Sequence, residues 1–192
     1  NDLITALLFR SSFDGIPCCL SLERFWDNAN DVANAMTFIA KNINNKLPTE
    51  CLYSIGLFHD CGIPALSNKF VDYKETLISA NSGGNNSIAL EESRYRTNHA
   101  VIGYFIATSW NLPKAVCNII LNHHELDFLV KSPDPSEQLG FATLKLAESI
   151  VDRNKRHCEA PDWQYLKTDV LNVLCITFEE YTDIEQGYNA LI

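Results

Sequence analysis

Four of the five histidines fall in a pattern that could bind a cation: an adjacent His59-Asp60 pair, His99, and an adjacent His123-His124 pair. Imidazole nitrogen together with carboxylate oxygen suits divalent ions such as iron, manganese or zinc, and a His-Asp dipeptide at a helix end presents both donor types at once. A helical bundle can complete such a site from several helices. Alone, the dipeptide is a weak signal, because a histidine on an apolar face is more often a hydrogen-bonded core residue.

The elements that must carry these residues read as helices. From Leu22, the apolar residues Phe25, Ala29, Val32, Met36, Ile39 and Ile43 recur at steps of three and four, one face of a helix of about six turns. A second helix is expected after Pro48, capped by Thr49 and carrying Leu52, Ile55 and Phe58 toward His59 and Asp60 before Gly62 stops it. Residues 64–79 form a weakly amphipathic segment, and Asn81 to Ser87 reads as a loop. Asn98 can cap a helix whose His99, Ile102, Gly103 and Ile106 share a face, and Pro113 fits the first position of the next helix. There Val116, Ile119, Ile120, His123 and His124 form one stripe, so both histidines point inward or into a cleft. After Pro133-Asp-Pro135, Leu139, Ala142, Leu146 and Ile150 mark another helix, with Glu148 on a neighbouring apolar stripe. Two further helices follow the Cys158 to Trp163 loop, the last with Tyr181, Ile184, Tyr188 and Leu191. With no period-two alternation and no internal repeat, the fold class is all-α.

A chain of 192 residues, 46% hydrophobic and 20% charged, suits a single domain and excludes a disordered or fibrous protein. Fifteen Lys and Arg against twenty-four Asp and Glu give −9 with no basic run, which argues against nucleic acid and anionic membrane as partners. The longest uncharged stretch, Thr97 to Pro113, falls short of a bilayer span. Cys18, Cys19, Cys51, Cys61, Cys117, Cys158 and Cys175 include no Cys-x-x-Cys pair, so a zinc ribbon or a redox dithiol lacks its spacing. Reduced thiols in a cytoplasmic protein are expected.

The segment Gly56-Leu-Phe-His-Asp-Cys-Gly62 resembles the Gly-Leu-Leu-His-Asp-Ile-Gly segment of the HD superfamily, all-helical metal-dependent phosphohydrolases and their inactive relatives. More specifically, the stretch holding Glu91 or Glu92, His99-Ala-Val-Ile-Gly103, Trp110-Asn-Leu-Pro113 and His123-His124-Glu125 is similar to the HDOD branch, the HD-related output domain of bacterial signalling proteins. Trp26 with Ala29, Val32 and Ala33 resembles that branch's Trp-x-His-Ser helix, and Leu146-Ala-Glu-Ser149 its late Leu-Ala-Asp helix. In catalytic relatives a metal is held by an early-helix His, the His-Asp pair and a late Asp. The matching positions here are Asn28, His59, Asp60 and Glu148, of which the first and last depart from the pattern. Asn offers only a neutral amide oxygen, and Glu moves its charge one methylene outward, so the resemblance implies a degenerate metal site at Asn28 and Glu148. His99, His123 and His124 fall where the HD-GYP branch keeps additional ligands. However, Leu126-Asp-Phe-Leu-Val130 lacks that branch's Asp-Gly and Gly-Tyr-Pro elements, which argues against cyclic-dinucleotide hydrolysis.

The resemblance therefore implies an HD-like helical bundle over residues 20–192, preceded by the end of an N-terminal helical portion at 1–20. It would act in the bacterial cytoplasm as a signalling or output module, through other signalling proteins or domains or a second copy of itself. The competing expectation is a metal-dependent phosphohydrolase in which His59, Asp60, His99, His123 and His124 hold one or two ions of iron, manganese or zinc, with Asp60 as the catalytic carboxylate. Glu148 either pairs with Lys145 or faces a polar pocket. Trp110 reads as core packing, Gly103 as a point of close helix approach, and Cys61 as a structural thiol.

Overall fold

The computed structural model describes residues 11, 18–43, 45–83 and 87–191, and among them there is no strand. The helices are α1 (Leu22–Asn42), α2 (Thr49–Phe58), α3 (Gly62–Lys69), α4 (Tyr73–Gly83), α5 (Ser87–Tyr95), α6 (His99–Ser109), α7 (Lys114–Asn122), α8 (Phe128–Lys131), α9 (Pro135–Arg156), α10 (Trp163–Leu174) and α11 (Phe178–Asn189). The segment 1–20, expected to end an earlier helical portion, lies almost wholly outside the described residues. None of the helices among the described residues is long and apolar enough to cross a membrane.

Helix α9 is the hub, touching α1, α2, α7, α8 and α10. It starts where the Asp134 carboxylate accepts from the Ser136 N–H at 2.8 Å, and it ends at His157, whose φ of 54° takes the chain out of the helix. Two faces of α9 are buried, by Phe141, Leu144 and Val151 on one and Ala142, Leu146 and Ile150 on the other. Burying each large side chain of this kind contributes about 1.5–3 kcal/mol. Helix α1 packs its predicted stripe of Ala29, Val32, Met36 and Ile39 against α2 and α9. The α1–α2 approach is close because Gly56 has no side chain; a Cβ there would lie 2.6 Å from the Ala33 Cα.

Several boundaries differ from the sequence reading for identifiable reasons. Thr49 and Lys114 are the first helical residues, with Pro48 and Pro113 in the cap positions, where a residue lacking an N–H loses no bond. Gly62 begins α3 instead of ending α2, which stops at Phe58. The 64–79 segment is divided between α3 and α4, because the chain turns at Phe70 in extended conformation. Residues 81–83 and Ser87 are helical, so the described part of the expected Asn81–Ser87 loop is not loop; residues 84–86 lie outside the described residues. Trp110 caps α6 and packs against the core as expected.

Candidate metal centre at the junction of three helix ends

His59, Asp60, His99, His123 and His124 are all placed at helix ends. His59 is the C-terminal cap of α2, its N–H still bonded to the Ile55 carbonyl at 2.9 Å, and Asp60 follows in the turn to α3. His99 opens α6, where the Asn98 side chain caps the Val101 N–H. His123 caps α7, and His124 lies in the turn beyond it. The α3 and α6 starts are pressed together at Gly62, where a Cβ would stand 2.0 Å from the His99 carbonyl oxygen. Only glycine permits this contact, and the contact brings His99 to the His-Asp pair. Gly103 acts similarly one turn further along α6, against Ile120 and Cys61.

The inward atoms are nitrogens and oxygens within bonding reach of a common ion. His99 Nε2 lies 3.4 Å from His123 Nε2 and 3.0 Å from His124 Nε2. Asp60 Oδ1 is 3.5 Å from His99 Nε2 and 3.3 Å from His123 Nε2. These four residues offer ligand atoms that all lie within 4.8 Å of one another. Metal–ligand bonds of about 2.0–2.2 Å set separations between adjacent ligands of about 3.0–3.5 Å, which the His99–His123, His99–His124, His99–Asp60 and His123–Asp60 pairs match. His59 adjoins the group through Asp60 Oδ2 at 3.4 Å, and Glu148 Oε1 is 3.6 Å from His59 Nε2.

The opposite ring nitrogens fix which edge faces inward. His59 Nδ1 donates to the Gly56 carbonyl and His123 Nδ1 to the Ile120 carbonyl, each at 2.7 Å. His99 Nδ1 meets both oxygens of the buried Glu91 carboxylate at 2.9 Å, and Glu91 also accepts from the His99 N–H and the Tyr73 hydroxyl. His124 Nδ1 turns toward Asp162 at 3.4 Å. With the Nδ1 positions engaged, neutral rings point Nε2 lone pairs at one another and at a carboxylate. Such an arrangement of facing acceptors needs a positive charge between them, a metal ion or shared protons. Without metal, burial opposes protonation of His59, yet Asp60 and Glu148 raise it to about 9. Burial likewise opposes protonation of His99, and its bond to Glu91 raises it nonetheless. His123 and His124 are lowered, by burial first and for His124 next by the neighbouring His123. Asp60 is held well below the usual carboxylate range, because the surrounding histidines outweigh its burial.

Helix α9 contributes Lys145 and Glu148. Both alternatives left open for Glu148 hold: one oxygen pairs with Lys145 Nζ at 2.9 Å and the other faces His59. The site opens into a cleft of about 1170 Å³ lined by His59, Asp60, His99, His124, Lys145 and Glu148, with Asn28 on its wall. Asp60 and His124 are the exposed edge, with side chains about a quarter accessible. Cys61 is buried, and burial pushes its thiol up, which fits the structural reading.

Sequence reasoning did not assign Glu91, Tyr73 or Asp162 to the site. Asp162 stands at the start of α10 and reaches both His124 and Lys145 at 3.4 Å. A carboxylate at 0% exposure within α5 had no local signal, since the next residue, Glu92, is an exposed carboxylate of the same type.

An all-helical bundle with a His-Asp pair facing further histidines defines an HD-type domain. The chain belongs to the HDOD domain family, whose model matches residues 1–126, a span that includes His59, Asp60, His99, His123 and His124. Solved structures agree on the fold. A Shewanella amazonensis SB2B protein whose phosphohydrolase assignment is provisional matches with TM-score 0.66 and 15% identity, over 99% of this chain and 68% of that one. An HDOD domain protein of unknown function from Geobacter sulfurreducens gives 0.66 and 18%, over 100% and 70%. The MmoQ response regulator of Methylococcus capsulatus str. Bath gives 0.60 and 18%, over 87% and 62%. At these identities the likeness establishes the fold alone. Comparison with curated proteins gives no match.

Proposed function

We propose that this chain is a metal-binding HDOD domain that serves as a bacterial cytoplasmic signalling module, acting through contact with other signalling proteins or domains and not through efficient hydrolysis. The observation that carries this reading is the pairing of Glu148 with Lys145 beside an intact set of Asp60, His99, His123 and His124. The intact set suits iron, manganese or zinc, whereas the carboxylate at the late hydrolytic position is committed to a buried ammonium. Asn28 adds only a neutral amide at the early position. When bound, a divalent ion supplies Lewis acidity and a fixed positive charge in the cleft. Glu91 orients His99, Asp162 orients His124, and the Gly56 and Ile120 carbonyls orient His59 and His123.

The second reading, a phosphohydrolase with Asp60 as the catalytic carboxylate, is favoured by the exposed edge of the cluster in a cleft that also holds Lys74 and Arg156. Protein purified without chelator separates the two. One equivalent of iron, manganese or zinc, lost in His99→Ala and unaccompanied by turnover of a generic phosphodiester or a cyclic dinucleotide, supports the signalling reading. Turnover that disappears in the same variant replaces it with the enzyme. Absence of metal removes both.

A further inference from the structure

The donor atoms at the centre form two sets that share Asp60. Its Oδ1 faces His99 and His123, with His124 completing that set. Its Oδ2 faces His59 at 3.4 Å, and His59 Nε2 is 3.6 Å from Glu148 Oε1. In this second set His59 Nε2 lies between the two carboxylates, and the outer one is occupied. Lys145 Nζ is 2.9 Å from Glu148 Oε2 and 3.4 Å from Asp162 Oδ2, and its side chain is only 4% exposed. A buried ammonium persists where carboxylates hold it.

The charges agree with this division. Glu148 and Asp162 bring two negative charges to the Lys145 ammonium, and Asp60 and Glu91 bring two more to the histidine side. Replacing the ammonium by a neutral group would remove the positive charge that holds Glu148 and Asp162, a condition that attracts a cation.

We propose that Lys145 fixes the centre at one metal ion, its ammonium standing in for the second cation that His59, Asp60 and Glu148 would otherwise hold. This rests on the reading that the histidine cluster binds metal. Lys145 is thus a specificity-determining residue, contributed by the central helix, that makes the site mononuclear.

The test is Mn(II) titration of the chelator-treated full chain, with free Mn(II) followed by electron paramagnetic resonance and bound metal by elemental analysis. The unsubstituted protein and Lys145→Arg should bind one equivalent. Lys145→Gln and Lys145→Met should bind two, with the bound signal broadened because the two ions share Asp60, and adding Glu148→Gln should return the stoichiometry to one. One equivalent in folded Lys145→Gln and Lys145→Met, or two in the unsubstituted chain, overturns the inference and leaves the metal reading intact. No Mn(II) bound by the unsubstituted chain overturns both. Glu148→Gln on its own provides the arm that does not depend on folding without Lys145. It should keep one equivalent, since Glu148 gives no ligand atom to the first ion, bound more weakly because one negative charge is lost nearby. Loss of the metal in this variant overturns the inference.

Discussion

Replacing Glu91 by Gln tests whether the buried carboxylate behind His99 tunes the centre. Glu91 is completely buried, and its oxygens accept from the His99 N–H at 2.7 Å, from His99 Nδ1–H at 2.9 Å and from the Tyr73 O–H at 2.7 Å. Glutamine preserves the shape but exchanges one acceptor for an NH₂ donor. With the NH₂ at the Oε2 position, two donors would collide at the His99 N–H, so the amide must place its oxygen there and turn the NH₂ toward Tyr73. The Tyr73 hydroxyl can rotate to accept, and the network survives without its charge. Bonds to a charged acceptor contribute about 1.5–3 kcal/mol each and neutral ones about 0.5–1.5, while removal of the buried charge returns part of that difference. The metal-free fold should therefore lose about 1–2 kcal/mol, tolerable against the roughly 5–15 kcal/mol of an ordinary domain. Metal affinity should fall about 10–100-fold, or about 1.4–2.8 kcal/mol, because His99 becomes a less basic and less fixed ligand. Competition titration of Zn(II) or Mn(II) against a chelator, with urea unfolding of the metal-free protein in parallel, reads both quantities. Tyr73→Phe, which keeps the charge, should weaken binding less than about tenfold. A Glu91→Gln protein whose Kd stays within threefold of the unsubstituted value would refute the reasoning, whatever its stability.

Three further outcomes follow from the same geometry. Gly62→Ala drives a Cβ to 2.0 Å from the His99 carbonyl oxygen and 2.9 Å from the Gly103 nitrogen, both backbone, so urea melts should show a loss of at least about 1–3 kcal/mol together with weaker metal binding. In metal-free protein His59 is raised from 6.5 to about 9, so its contribution to stability is full below pH 6.5 and is lost as pH climbs through 9. Chemical denaturation at pH 6 and 9.5 should show this alkaline decline, and His59→Gln should flatten it; a decline of unchanged size in the variant would assign it elsewhere. Thr177→Ala removes the capping box at the start of α11, where Thr177 Oγ1 accepts from the Glu180 N–H at 3.2 Å. It should cost about 1 kcal/mol in thermal or urea unfolding and leave metal affinity unchanged, which makes it the control for a purely structural loss.

The helices were legible wherever one face repeats over several turns. The stripe from Ala29 to Ile39 and the double stripe on α9 stand where periodicity put them, because a 3.6-residue repeat is a local property. Short segments were less legible. Residues 64–79 divide into α3 and α4 at a turn near Phe70, and a few apolar residues on each side carry too little pattern to locate it. Gly62 reads as a helix stop in sequence, but its role is to let the His99 backbone pass, a requirement set by a residue far along the chain. Glu91 entered only through the family resemblance, and Tyr73 and Asp162 not at all, for a related reason: each is an ordinary residue until its partner is known.

The sequence by itself determined an all-helical class and a set of imidazoles and carboxylates at helix ends, since both follow from residue type and short-range spacing. It also supplied the departures at Asn28 and Glu148, which need only a position-by-position comparison. Only the tertiary structure decided that Asp60, His99, His123 and His124 meet, because their separation depends on how α2, α3, α6 and α7 are packed together. It alone decided that Lys145 holds Glu148 and Asp162 in the wall of that centre. The strength of that ion pair comes from burial, and burial is a property of the packed chain.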